Sequence, residues 1–178
     1  MALYLANLDE RTRALMLEEV EYDTARHELH ISPYLSGQGQ RDYENLLREA
    51  IEFGDEESLA EKLAEHRRIA RTAHRRKPDG GYTIVTVPHN AAQTIAESEY
   101  NRYYIRAVCR RALDEGIEEL VVYRAKPVSN PRVESEELLE STVDAGKLLR
   151  DLREHTGDEA PQLGIPGGPN SGITVRLP

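Results

Sequence analysis

The sequence predicts an α+β (or α/β) fold, and three observations carry the prediction. Two runs dense in β-branched residues, 82–87 (YTIVTV) and 120–126 (LVVYRAK), read as strands. The stretch between them, 91–115, carries apolar residues at helical spacing and closes at Gly116. Before residue 78 most of the periodic apolar positions also fall at helical spacing. The expected architecture is a helix-rich part over 1–77, then an α/β core over 78–178 built around the strand–long helix–strand unit 82–126, the two forming one folded unit.

In chain order, 2–6 (ALYLA) reads as a short strand. Asp9 supplies an N-cap for a helix over 10–26, with Leu15, Met16 and Val20 on one face and acids opposite. Residues 27–32 (HELHIS) alternate like a strand, and 33–40 read as a loop broken by Gly37 and Gly39. Tyr43, Leu46, Leu47, Ala50 and Ile51 mark a helix over 41–53 that Gly54 closes. A helix from Asp55 or Glu56, with Leu59, Leu63 and Ala70 as its apolar line, runs on into the basic segment 66–77. Lys77-Pro78-Asp79-Gly80-Gly81 is a turn signal. Asn90 with Gln93 has the spacing of a capping box for the long helix. Its later half sets Ile105, Val108, Cys109, Ala112 and Leu113 on one face. The unit 82–126 has the length and order of a crossover. Short helices at 134–139 and 144–155 follow, then a Gly/Pro-rich tail (LGIPGGPNSG) and a closing strand over 173–177.

The composition narrows function. The chain has 178 residues, 9 Tyr against 1 Phe and 0 Trp, 1 Cys, and a net charge of −9. One cysteine allows neither an internal disulfide nor a cysteine-based zinc site. No run of 18 apolar residues occurs, so no membrane partner is expected. Residues 1–9 lack the basic and apolar regions of a signal peptide, so the expected location is the cytoplasm, or a particle assembled there. The charge is segregated: residues 1–65 carry a net −10, residues 66–77 a net +6 and residues 78–178 a net −5.

Two basic rows stand out. In 66–77 (HRRIARTAHRRK), Arg67, Arg71 and Arg75 are four apart and would share a helix face, with Arg68, Arg76 and Lys77 beside it. Such a face suits phosphates, or acids of this chain or of a second copy. On the long helix, Arg102 and Arg106 lie beside Tyr100, Tyr103 and Tyr104. Tyrosine next to arginine serves single-stranded nucleic acid and protein interfaces alike. Helical pairing, with Glu99 three and four residues before Arg102 and Tyr103, is the bland alternative.

Other constellations carry less. His27 and His30 are three apart in an expected strand, where their side chains diverge, so no metal site is expected. His66 and His74 are flanked by arginines, which disfavours a cation. Cys109 reads as a small buried hydrophobe. No phosphate-loop, dinucleotide-binding or nucleophile-elbow motif occurs, so no cofactor and no catalytic residue is expected. The leading expectation is therefore a non-catalytic structural protein that assembles with copies of itself, of the phage or prophage type by analogy. The tail would pack through Ile165, Ile173 and Val175, either on its own sheet or on a neighbouring copy. The alternative is a nucleic-acid-binding protein or nuclease using the basic segment 66–77.

Overall fold

The computed structural model describes residues 2–157, 160–167 and 171–178. Asp9 caps α1 (Glu10–Ala25) as expected, its Oδ1 accepting the Thr12 N–H at 2.9 Å. The buried face of α1 carries Leu15, Met16 and Val20, but also Glu19 and Asp23. Two acids thus point inward, where the sequence places acids outward. α2 (Gly37–Phe53) starts four residues before its expected position. Ser36 caps it, and the supposed breakers Gly37 and Gly39 lie in its first turn. Gly39 is there for contact: a Cβ would come within 2.2 Å of the Arg68 carbonyl oxygen. Gly54 ends α2 as expected, and Asp55 with Ser58 forms a capping box for α3 (Glu56–Ala64).

α3 does not continue into the basic segment. His66 and Arg67 take left-handed φ values of 53° and 56°, which ends the helix. Residues Thr72–Arg76 then form strand β1, antiparallel to β2 (Tyr82–Thr86) across the turn at 77–81. The β-branched run needs a partner, and the tight turn delivers the segment just before it. Arg67, Arg71 and Arg75 therefore share no helix face.

α4 (Ala91–Asp114) is the central helix, packed against α1 and α3 and against the helix at Ala145–Glu154. Asn90 precedes it without a side-chain cap, and Gln93 bonds Glu97 instead, so the expected capping box is absent. α4 is buried nearly all round between Ala91 and Ala112, while Leu113, expected inside, is 47% exposed. β3 (Glu119–Arg124) follows, then α5 (Val133–Glu137), β4 (Thr142–Asp144), α6 (Ala145–Glu154) and β5 (Ile173–Arg176).

The sheets are two: β1–β2, and β4–β3–β5 with both pairings antiparallel. The fold is α+β. β2 and β3 belong to different sheets, so the unit 82–126 is no crossover. The tail packs within its own chain. β5 pairs with β3, and Ile165, Ile173 and Val175 are all buried. Residues 2–6 and 27–32 are not strands. The first still runs along the core, its Tyr4 N–H donating to Ala125 O at 2.8 Å. The main apolar cluster draws on every helix except α5 and reaches from Leu5 to Val175. Among the described residues no helix is long and apolar enough to cross a membrane.

Candidate anion-binding surface and cavity

The two basic rows have opposite fates. On α4, Tyr100, Tyr103, Tyr104 and Arg106 lie in the core, none more than 1% exposed. They offer no surface to a partner, which corrects the contact role expected of them. The cause is the pair of inward acids on α1. Glu19 and Asp23 are four apart, so they meet one face of α4. Arg106 donates to Asp23 at 2.7 and 2.9 Å and to Glu19 at 2.7 Å. Tyr103 donates its hydroxyl to Asp23 at 2.8 Å, and Arg153 of α6 donates to Glu19 at 2.5 and 3.1 Å. Burial alone would raise the Glu19 carboxyl, but Arg153 and Arg106 hold it below its ordinary value. The tyrosine hydroxyls find partners: Tyr104 accepts from the Asn7 N–H at 3.0 Å and Tyr100 from Arg13 at 3.2 Å. Burial drives the Tyr100 hydroxyl up to about 12. Cys109 is fully buried, as expected, and burial drives its thiol well above the ordinary range.

The segment 66–77 is the reverse case. Arg68 pairs with Asp42 at 2.7 Å, which is the acid pairing weighed from the sequence. Arg67, Arg71, Arg75, Arg76 and Lys77 are exposed, and among the described residues their side chains have no ion pair. Arg75 and Arg76 lie on the two-stranded β1–β2 ribbon, Arg71 and Lys77 flank β1, and Arg67 lies outside the ribbon. The ribbon's inner face packs Ala73 and Val85 on Val87 and Ala91. On its outer face His74 opposes Ile84 and Arg76 opposes Tyr82, with Ile84 and Tyr82 each 67% exposed.

The ribbon forms one wall of a cavity of about 1000 Å³. Consecutive residues His74, Arg75 and Arg76 line it, so the unpaired edge of β1 faces in. The floor is the first half of α4, from Thr94 through Ser98 to Arg102. Lys126, after β3, and Arg132 and Ser135, at α5, also line the cavity. The segment 30–34, with His30 and Tyr34, closes one side. Five side chains here are cationic (Arg75, Arg76, Arg102, Lys126, Arg132) against Glu97, Glu99 and Glu134, in a protein whose net charge is −9.

Each fixed charge has a local cause. Lys126 is ion-paired with Glu97, which also accepts from Gln93 at 3.0 Å. Arg102 is 8% exposed and spends its donors on backbone, at 2.7 Å to His155 O and 3.4 Å to Gly157 O. The helical Glu99–Arg102 pairing expected from spacing therefore does not form. Gly157, at φ 71°, lies against the His30 ring, where a Cβ would come within 2.4 Å of Nδ1. Arg75, Arg76 and Arg132 have no ion pair among the described residues.

Of the predicted contact residues, Arg75, Arg76 and Arg102 meet at this cavity, and Arg67, Arg71 and Lys77 lie outside its lining. Sequence reasoning passed over Tyr34 and Arg132, and weighed His30 only as a metal ligand and Glu99 only as a helical partner of Arg102 and Tyr103. A usable signal existed for Glu99, an acid inside the apolar run Ile95, Ala96, Tyr100. Among the described residues no three His, Cys, Asp or Glu side chains gather closely enough to hold a metal ion. No protein-family model matches the chain, and neither a curated protein nor a solved structure is significantly similar to it.

Proposed function

We propose that the chain is a nucleic-acid-binding protein whose contact element is the β1–β2 ribbon. The observation that carries this reading is the set of five cations, Arg67 to Lys77, left exposed and unpaired in a protein with 32 acidic side chains. Acids elsewhere in the chain neutralise Arg106, Arg110 and Arg111. Phosphates are the complement of cations left in this state. A two-stranded ribbon is also narrow enough for the major groove of duplex DNA, and Tyr82 beside Arg76 offers a stacking face to single strands. Fluorescence polarisation with labelled duplex and single-stranded oligonucleotides tests it. The expected result is binding with a steep salt dependence. Replacing Arg71, Arg75, Arg76 and Lys77 with Ala flattens the log–log slope by about 0.9 per lost duplex contact. No retention of DNA or RNA at low salt overturns it.

A second reading, a self-assembling structural component of the phage or prophage type, draws on one observation. Tyr82 and Ile84 share the exposed outer face of the ribbon beside cations that suit the acidic surface of another copy. Size-exclusion chromatography with light scattering, at low and high salt, decides it: a strict monomer at every concentration excludes it.

A further inference from the structure

Six carboxylates are buried among the described residues: Glu19, Asp23, Glu56, Glu97, Glu99 and Asp151. Five have their oxygens occupied. Glu19 and Asp23 hold Arg106, Glu56 takes the Leu3 N–H, Glu97 takes Lys126, and Asp151 takes the backbone N–H groups of Gln162 and Leu163. Glu99 is 6% exposed and accepts no hydrogen bond from any described residue. Its neighbour Arg102 is turned away onto backbone carbonyls. The Glu99 oxygens are not among the side-chain atoms sealed from solvent without a partner, so they reach accessible surface, where donors can meet them. Burial pushes the Glu99 carboxyl above the ordinary glutamate range, against the pull of Arg102 and His30. What Glu99 faces is the cavity. The Glu99 carboxylate is therefore free to accept donors from a molecule in the cavity.

The other walls say what that is. Tyr34 offers a ring, and Ile95 and Leu138 offer apolar surface. Arg75, Arg76 and Arg132 are unpaired cations on the same lining. A ligand that meets all three features has a flat ring, N–H donors on one edge and an anionic group. We propose that the cavity is a site for a guanine nucleotide, with the base against Tyr34, its donor edge on Glu99, and its phosphate on Arg75 and Arg132. Guanine is singled out because it presents two adjacent N–H donors on its pairing edge, matching the two oxygens of one carboxylate, while adenine and cytosine offer one amino group and uracil a lone ring N–H. The proposal deepens the nucleic-acid reading: the nucleotide is either free or an unpaired guanine of the strand that the ribbon holds.

Calorimetric titration of the full chain with GMP, AMP, CMP and UMP tests the site. GMP is expected to bind tightest, by roughly tenfold or more over UMP. Glu99→Gln removes that preference, and Arg75→Ala with Arg132→Ala weakens all four alike. Equal affinities in the unaltered protein, or no binding, overturn the proposal whether or not the variants fold. Competition separates the sources and the two readings. GMP displaced by an oligonucleotide with an unpaired guanine places a strand's base in the cavity. GMP binding without any oligonucleotide binding keeps the cavity site and removes the ribbon reading. Oligonucleotide binding indifferent to base identity and to Glu99→Gln does the reverse.

Discussion

Arg106 on α4 and Arg75 on β1 are each part of an arginine row spaced by four, yet one is sealed in the core and the other stands unpaired at a cavity. The difference lies in what packs opposite. Arg106 meets Glu19 and Asp23, acids of α1 that share a helix face because they too are four apart. Arg75 sits on a ribbon whose inner face has only Ala73, Val85 and a few apolar neighbours to cover. A basic row is therefore a contact surface only where no acidic row faces it.

The largest test of this comparison is to break the buried side. Replacing Arg106 with Ala or Met leaves Glu19 and Asp23 charged in the interior, which costs about 3–5 kcal/mol of stability. Urea denaturation measures it. A loss under about 1 kcal/mol would mean that water reaches the cluster and that the burial contrast is false.

Much of the fold was legible because it follows from local chemistry. The Asp9 cap, the Gly54–Asp55 break and the β-branched runs at 82–86 and 119–124 each act within a few residues. The α+β class and the closing strand follow from the same signals. What failed depended on distant partners. The basic segment has helical spacing, and only its pairing with β2 makes it a strand. The turn at 77–81 before a clear strand was the available clue. Tyr100, Tyr103 and Tyr104 looked like a contact surface because their buried partners lie far off in sequence, in Arg13, Asp23 and Asn7. Gly37 and Gly39 looked like breakers, since the approach of the Arg68 backbone cannot be read from composition. The cavity was not legible at all, as its walls come from stretches spread along the chain from Leu3 to Gly172.

A middle-sized effect sharpens the comparison through pH. Glu19 and Glu99 are both buried but carry shifts of opposite sign. The Glu19 carboxyl is held below its ordinary value of 4.5, so its contribution is full above that pH and is lost as pH falls through the folded value. The Glu99 carboxyl lies above 4.5, so the folded state takes up that proton first, and stability from this site rises as pH falls toward 4.5. Glu99→Gln is therefore more stable than the unaltered protein at pH 7, and the gap closes as pH approaches 4.5. Denaturation midpoints across pH measure both arms. A less stable variant at pH 7 would show that the ionised carboxylate is well solvated or well paired, and the cavity would lose its orphan acid.

The smallest expected effect is the most discriminating. Arg75→Ala, Arg76→Ala and Lys77→Ala should each change stability by no more than about 0.5 kcal/mol, the usual range for surface positions without a specific contact. The physical reason is that these cations have no carboxylate to lose. Removing one also relieves its repulsion from the others, so a slight gain is as consistent as a slight loss. The same variants should weaken oligonucleotide binding and flatten its salt dependence, which a structural role would not produce. A stability loss above about 1 kcal/mol would place an internal partner on the ribbon, and the two arginine rows would then be doing the same job.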